Sequence, residues 1–210
     1  MKTEIEEIRN QLKILLSEYL GPLRVRELVA QTLQFIAQGI WPYYLNTGDI
    51  ETLENKSIFT RLSTRSITTQ GNEILLLYTE RYEDYSLPGG GLDLGEDKVD
   101  GMIRELQEET GARNITNVQP FGIYEEYRPW YKPDYDIQHM ISYCYTCDID
   151  KNLGNSALEA HEINNGMKAI WLNIHEAIAH NNKTMANSEK KGMSIERETF
   201  LLNLIAKNHI

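Results

Sequence analysis

The segment that most constrains this chain runs from Gly90 to Ala112 and reads GGLDLGEDKVDGMIRELQEETGA. Residues 99–110 are predicted to form a helix in which Glu105, Glu108 and Glu109 share one face, because successive helical residues turn by about 100°. The apolar residues of this helix fill the opposite arc: Val99, Met102, Ile103 and Leu106. We therefore expect one face to be buried while the other presents three carboxylates.

Three carboxylates on one helical face call for a physical explanation. Like charges three or four residues apart destabilise an isolated helix by about 0.2 to 0.5 kcal/mol per pair. A hard divalent cation, Mg²⁺ or Mn²⁺, would relieve this repulsion, since it prefers oxygen ligands and leaves coordination sites open for water and phosphate. The alternative is a solvated acidic face, and the helix alone does not distinguish the two.

The spacing of the glycines and charged residues around the helix distinguishes a metal site from a solvated acidic face better than the helix alone. Gly90 is followed after five residues by Glu96, and after seven more by the run RELQEETG at residues 104–111. This pattern resembles the Nudix box, the signature of the Nudix hydrolase superfamily, and it departs only at Ala112, where a larger aliphatic residue is usual. The resemblance covers roughly residues 56 to 182 and implies an α/β/α sandwich around a mixed β-sheet.

The resemblance also implies an activity and roles for particular residues. The activity is hydrolysis of a nucleoside diphosphate linked to another moiety, by water attacking the pyrophosphate. Glu105 is expected either to bind metal or to take the proton from the attacking water, and Glu162 is the alternative base. Arg104 is expected to orient the carboxylates, and Glu96 is an auxiliary carboxylate. The implied ligands for Mg²⁺ or Mn²⁺ are Glu105, Glu108, Glu109 and the main chain at Gly90.

An aromatic segment follows the box. Its five rings lie within 12 residues: Tyr124, Tyr127, Trp130, Tyr131 and Tyr135. Prolines at positions 129 and 133 stiffen its backbone. Such rings either pack on a sheet or stack on a base of the substrate. We predict that Tyr127 and Trp130, together with Arg65, bind the substrate.

The charge of the chain restricts its partners. The formal net charge is −10, which repels nucleic-acid backbones and anionic membranes, so a small nucleotide-type substrate is expected rather than nucleic acid. No stretch approaches the roughly 18 consecutive apolar residues of a membrane span, and no signal-peptide core begins the sequence. We therefore expect a cytoplasmic protein that does not bind membranes.

Three regions are predicted along the chain. Residues 1–54 are expected to form an N-terminal helical hairpin and a connecting loop, residues 55–182 the Nudix hydrolase domain, and residues 183–210 a polar linker with a C-terminal helix that packs on the domain. Because an isolated helix pair is only marginally stable, the hairpin must bury its apolar stripes. Docking on its own domain and homodimerisation both remain open.

Local patterns predict the elements of the domain. Apolar or alternating runs rich in β-branched and aromatic residues predict strands at residues 58–69, 73–78, 121–127, 139–149 and 168–172. Polar stretches with Gly, Pro and Asn predict loops at residues 41–55 and 150–166. Cys144 and Cys147 fall within a predicted strand, where residues three apart face opposite ways, so we expect two ordinary reduced thiols.

Two other functions use the same box. A nucleoside triphosphate sanitising pyrophosphohydrolase would apply these carboxylates to a different substrate. A non-catalytic Nudix-fold module would bind a nucleotide and leave it intact. The complete set of carboxylates favours an enzyme over such a sensor, because binding alone does not require all of them.

Overall fold

The computed structural model describes residues 43–46 and 53–209. The predicted helical hairpin lies outside these residues, so its docking or dimerisation stays a prediction. Within the described ranges, no helix is long and apolar enough to cross a membrane.

Strands and helices alternate along the described chain. The strands are β1 (Tyr43–Asn46), β2 (Ile58–Ile67), β3 (Thr69–Gln70), β4 (Glu73–Thr79), β5 (Asp84–Ser86), β6 (Thr116–Pro129), β7 (Ile137–Asp148) and β8 (Met167–Asn173). The helices are α1 (Lys98–Thr110), α2 (Ala160–Asn164), α3 (Ile174–Asn187) and α4 (Ile195–His209). Each strand predicted from sequence is present, within a few residues of its expected bounds.

The strands pair in both directions. One sheet has the order β1-β6-β7-β2, and in the other β4 pairs with β3, β5 and β8. Strand β1 runs parallel to β6, whereas β4 is antiparallel to β5 and to β8. The predicted α/β class with mixed strand pairing is therefore confirmed.

Strand β1 corrects one prediction. It lies within residues 41–55, which the sequence indicated as a connecting loop, and its register sets Tyr43 opposite Ile123 and Asn46 opposite Glu126. The reason is tertiary: aromatic residues fit a strand well, and backbone pairing with β6 outweighs the local turn signals of nearby Pro and Gly.

The described chain divides into two compact units. The first contains the described residues up to Ser63 together with Pro120–Cys144, and the second contains Thr64–Gln119 together with the described residues from Tyr145 onward. The whole of the glycine-to-helix segment lies in the second unit.

Strand β4 forms the centre of the second unit. The side chains of residues 74–77, Ile-Leu-Leu-Leu, are at most 1% exposed, so both faces of the strand are covered. Helices α3 and α4 pack against each other and against β5. Their buried apolar residues include Ile174, Ala177, Ile195, Leu201, Leu202 and Ile205.

Two helices extend into stretches that the sequence indicated as irregular. Helix α3 continues to Asn187, into the region predicted as a polar linker, because Thr184 is buried and its hydroxyl donates to the carbonyl of Glu83 at 2.8 Å. The short helix α2 lies in the predicted loop 150–166, and a capping box between Glu159 and Glu162 begins it.

Asp84, at the start of β5, is a buried carboxyl that destabilises the fold near neutral pH. It is 4% exposed, and burial together with the charge of Glu198 raises its pKa from 3.8 to about 6. The folded protein therefore binds a proton at Asp84 below about pH 6, whereas the unfolded chain binds it only near pH 4. The contribution of Asp84 to stability consequently rises as pH falls through this window.

We expect Asp84→Asn to remove this pH dependence. At pH 7.5 the neutral amide should raise the free energy of unfolding by about 1 to 3 kcal/mol, because one pKa unit corresponds to about 1.4 kcal/mol. At pH 4.5 the gain should largely vanish. Urea unfolding at both pH values measures this, with exposed Asp93→Asn as the control. An equal effect of Asp84→Asn at both pH values would contradict the assignment.

Candidate active site

Helix α1 begins and ends where its sequence indicates. Asp97 precedes it and accepts hydrogen bonds from the amides of Val99 and Asp100 at 2.8 and 3.3 Å. Gly111 ends it in the left-handed conformation, with φ of 71°. The face that carries the carboxylates is not uniformly exposed, because Glu109 is only 4% exposed and the side chain of Glu105 only 14%.

Glu109 is held against residues 87–91, Leu-Pro-Gly-Gly-Gly, which we call the glycine loop. The amide of Gly89 donates to its Oε2 at 2.6 Å. Burial raises the pKa of Glu109 well above its usual value, and the charges of Glu105 and Glu162 raise it further, while Gly89 and Arg65 oppose the shift. A negative charge at this position is therefore costly without a cation nearby.

Glu105 lies against the next glycine. A Cβ atom at Gly90 would fall 2.5 Å from Oε2 of Glu105, so only glycine lets this carboxylate approach the main chain so closely. Burial raises the pKa of Glu105, and Arg104 opposes part of that shift. The carbonyl of Gly90 accepts a hydrogen bond from the amide of Thr64 at 3.0 Å, which occupies one of its two lone pairs.

Arg104 joins the carboxylates to one another. Its Nε and Nη2 donate to the two oxygens of Glu96 at 2.8 and 2.9 Å, a bidentate pair that lowers the pKa of Glu96 to about 2. Its Nη1 donates to Glu105 at 2.9 Å and to Glu108 at 3.2 Å. Nη2 also donates to the carbonyl of Gly91 at 3.2 Å. Arg104 thus contacts Glu96, Glu105 and Glu108, which together with Glu109 we call the acidic set. Its role in orienting them stays a prediction.

Glu162 and Arg65 belong to the same unit. Glu162 is 8% exposed, its Oε2 accepts the amide of Glu159 at 2.7 Å, and its charge acts on Glu109. Arg65 is also 8% exposed, and its Nη1 donates to the carbonyl of Thr64 at 2.8 Å. Its Nε lies 3.5 Å from Oε1 of Glu198.

Glu198 was not singled out from the sequence. It lies on α4 with 1% exposure, close to both Arg65 and the glycine loop. A signal was present, because Glu198 is three residues after Ile195 and three before Leu201, on the apolar stripe of a predicted helix. A charged residue on such a stripe indicates a buried polar contact.

The acidic set suits a hard cation in chemistry. Its donors are carboxylate oxygens and a main-chain carbonyl, the ligands that Mg²⁺ and Mn²⁺ prefer. The raised pKa values of Glu105 and Glu109 show that burial disfavours their charges in the absence of an ion. Among residues 43–46 and 53–209, no three Asp, Glu, His or Cys side chains are arranged to ligate one ion together, and Glu105 and Glu108 are both paired with Arg104.

The predicted stacking residues lie in the first unit. Tyr127 is 2% exposed, its ring stacks on His139 at a centroid distance of 4.3 Å, and its hydroxyl donates to Glu125 at 3.1 Å. Tyr127 therefore packs inside the first unit, and its role in substrate binding stays a prediction. Trp130 is half-buried, and its Nε1 donates to Asp134 at 2.9 Å.

This geometry agrees with the comparison to known families. Residues 60–194 match the family model of the NUDIX domain, which is more than half of the chain. The chain therefore belongs to the Nudix family.

Its relatives carry two different names. An RNA pyrophosphohydrolase of Ruthia magnifica is 33% identical over 76 residues, which are 35% of this chain and 40% of that protein. Human diphosphoinositol polyphosphate phosphohydrolase 2 is 28% identical over 110 residues, which are 52% and 54% of the two chains. This chain thus spans about half, or less, of the length of these relatives. A solved NUDIX hydrolase of Nitrosomonas europaea is 17% identical, with a TM-score of 0.49, over 71% of this chain and 91% of that one.

We expect Gly89→Ala to disrupt the loop that holds Glu109. Its φ of +140° is rare for side-chain-bearing residues, and the new Cβ would lie 2.1 Å from the carbonyl oxygen of Thr64. Strain and overpacking together should lower the free energy of unfolding by about 2 to 6 kcal/mol. Gly95→Ala is the matched control: its φ is +81° with no atom within 4 Å, so it should cost only about 1 to 2 kcal/mol. Equal losses in denaturant unfolding would contradict the prediction.

Proposed function

We propose that this protein is a Mg²⁺- or Mn²⁺-dependent pyrophosphohydrolase that cleaves a nucleoside diphosphate linked to another moiety. The observation that carries the proposal is the pair of carboxylates at the glycine loop, Glu105 against Gly90 and Glu109 hydrogen-bonded to Gly89. Burying like charges side by side is unfavourable for the protein alone. A bound divalent ion would offset that cost and bring the phosphates of a substrate to the same place.

The side chains that would hold the ion are those of Glu105, Glu108 and Glu109, with the carbonyl of Gly90. When bound, the ion would neutralise charge on the pyrophosphate, which is the main requirement for its hydrolysis. Arg104 contributes by fixing Glu105 and Glu108 through its Nη1 hydrogen bonds. Its bidentate pair with Glu96 keeps the guanidinium itself in place, so Glu96 acts as the auxiliary carboxylate.

Glu105 is our first candidate for the base that takes a proton from the attacking water. Burial raises its pKa above the usual value, which suits a group that must accept and release a proton. Glu162 is the second candidate, since its charge acts on Glu109 and it is almost buried.

The substrate is proposed to be small. With a net charge of −10, the protein repels long polyanions, although one relative is named for RNA and another for diphosphoinositol polyphosphate. A nucleoside triphosphate is the alternative substrate within the same chemistry. The preferred substrate is a nucleoside diphosphate linked to another moiety, such as ADP-ribose, the class that the Nudix box implies.

A substrate panel tests the proposal directly. Purified protein with Mg²⁺ or Mn²⁺ would be assayed on ADP-ribose, a nucleoside triphosphate, a 5′-triphosphorylated RNA oligonucleotide and a diphosphoinositol polyphosphate. Release of mononucleotide from ADP-ribose, at the highest kcat/KM of the panel, is the expected result. A higher kcat/KM for another compound of the panel would make that compound the preferred substrate in place of ADP-ribose. Binding of nucleotides without any turnover would overturn the enzyme in favour of a sensor.

We expect Glu109→Gln to separate activity from stability. The amide keeps the size of the side chain and can still accept from Gly89, but it removes a charge that the ion requires, so kcat should fall by at least about 100-fold. Because the buried charge is unfavourable, the melting temperature should stay the same or rise. Exposed Glu196→Gln is the control and should change neither quantity. Activity of Glu109→Gln within about tenfold of wild type would contradict the metal-ligand role.

We expect Trp130→Ala to weaken substrate binding. Stacking of a base on an aromatic ring contributes about 1 to 3 kcal/mol, so KM for the preferred nucleotide should rise by roughly one to two decades while kcat changes little. Trp130→Phe keeps a flat ring and should behave closer to wild type. If Trp130→Ala lowers only the melting temperature and leaves KM unchanged, the ring serves packing and not binding.

A further inference from the structure

Residues 87–90 follow β5 and make two sets of hydrogen bonds, one through their carbonyls and the other through their amides. On one side the carbonyls of Pro88 and Gly90 accept the amides of Ser66 and Thr64 of β2, at 2.8 and 3.0 Å. Pro88 has no amide hydrogen to offer, so it fits this side, where its carbonyl makes the contact. This side of the segment is thus held as an ordinary strand would be.

On the other side two buried carboxylates take the place of a neighbouring strand. The amides of Leu87 and Gly89 lie two residues apart in the sequence, and each donates to a buried carboxylate. Gly89 donates to Oε2 of Glu109 at 2.6 Å, and Leu87 donates to Oε2 of Glu198 at 3.0 Å. Glu198 reaches this segment from α4, which lies 111 positions further along the sequence.

Glu198 also fixes the cation that acts on the candidate metal ligands. Its Oε1 lies 3.5 Å from Nε of Arg65, whose positive charge acts on both Glu105 and Glu109. The neighbouring Arg197 donates to the same oxygen at 3.1 and 2.9 Å. Burial alone would raise the pKa of Glu198, but these two guanidiniums and the amide of Leu87 keep it below its usual value.

Simple stabilisation of the fold explains this arrangement poorly. A buried ion pair contributes little net stability, because the desolvation of its charges offsets their attraction, and apolar residues often replace it without loss. What the Glu198 carboxylate does provide is a defined place for its hydrogen-bond donors, since Oε2 accepts the amide of Leu87 and Oε1 accepts from Arg197. In Glu198 one oxygen is directed to the glycine loop and the other to Arg65.

We propose that Glu198 is a positioning residue for the hydrolytic site. It holds the Leu87 amide and Arg65, so that the Gly89 amide and the charge of Arg65 stay in place around Glu109. This inference rests on the proposed function for its effect on turnover, whereas its effects on the loop and on metal binding can be measured without a substrate.

Glu198→Gln tests the proposal, with Thr199→Val as its matched control. The amide can still accept from Leu87 but removes the negative charge that faces Arg65 and Arg197, so Arg65 is drawn towards Glu109 and competes with the metal. We expect kcat to fall at least tenfold with KM within threefold of wild type, and Mn²⁺ affinity, measured by titration, to fall at least threefold. Thr199 is buried on the same helix and donates only to the carbonyl of Ile195 at 2.7 Å, so its variant should lose stability alone.

Equal kcat and Mn²⁺ affinity in the two variants would overturn the proposal and make Glu198 a structural residue.

If Glu198→Gln does not fold, amide hydrogen exchange of the wild-type protein tests the positioning role instead. The amides of Leu87 and Gly89 should then exchange slowly and together, like those of β4. Exchange as fast as that of exposed Gly95 would refute the positioning role. A wild-type protein that hydrolyses nothing but shows these exchange and Mn²⁺ results would refute the proposed function and not this inference.

Discussion

The site depends on buried carboxylates that lie against the main chain of two glycines, where a residue with a side chain would collide with its neighbours. Gly89 donates to Glu109, and the missing side chain of Gly90 leaves room for Glu105. Both contacts place negative charge where solvent is largely excluded, and the raised pKa values of the two carboxyls measure the cost. A protein that keeps such an arrangement is less stable than it could be, because negative charge is disfavoured where solvent is excluded.

The surrounding groups make that arrangement rigid. Arg104 donates two hydrogen bonds to Glu96 and also donates to Glu105 and Glu108, so hydrogen bonds connect the loop before α1 to the face of α1. On the other side of the loop, Glu198 and Arg65 supply a second charged network that is almost fully buried. Fixed groups of this kind lower the barrier of a reaction because they need no reorganisation when charge develops.

Much of this could be predicted from the sequence because it depends on local rules. The bounds of α1 follow from the cap at Asp97 and the left-handed glycine at Gly111, and the strands follow from runs of β-prone residues. Strand β1 could not be predicted, because its four residues become a strand only by pairing with β6, far along the chain. The same holds for the last turn of α3, where Thr184 is buried against Glu83.

The sequence by itself determined the family and the acidic set, because the spacing of Gly90, Glu96 and residues 104–111 defines a helix with carboxylates on one face. Only the tertiary structure decided how those carboxylates differ. Helical periodicity treats Glu108 and Glu109 alike, yet Glu109 is 4% exposed whereas the side chain of Glu108 is 45% exposed. Contacts outside the helix cause that difference, such as the hydrogen bond from the amide of Gly89 to Glu109, and no periodicity along a single helix encodes them.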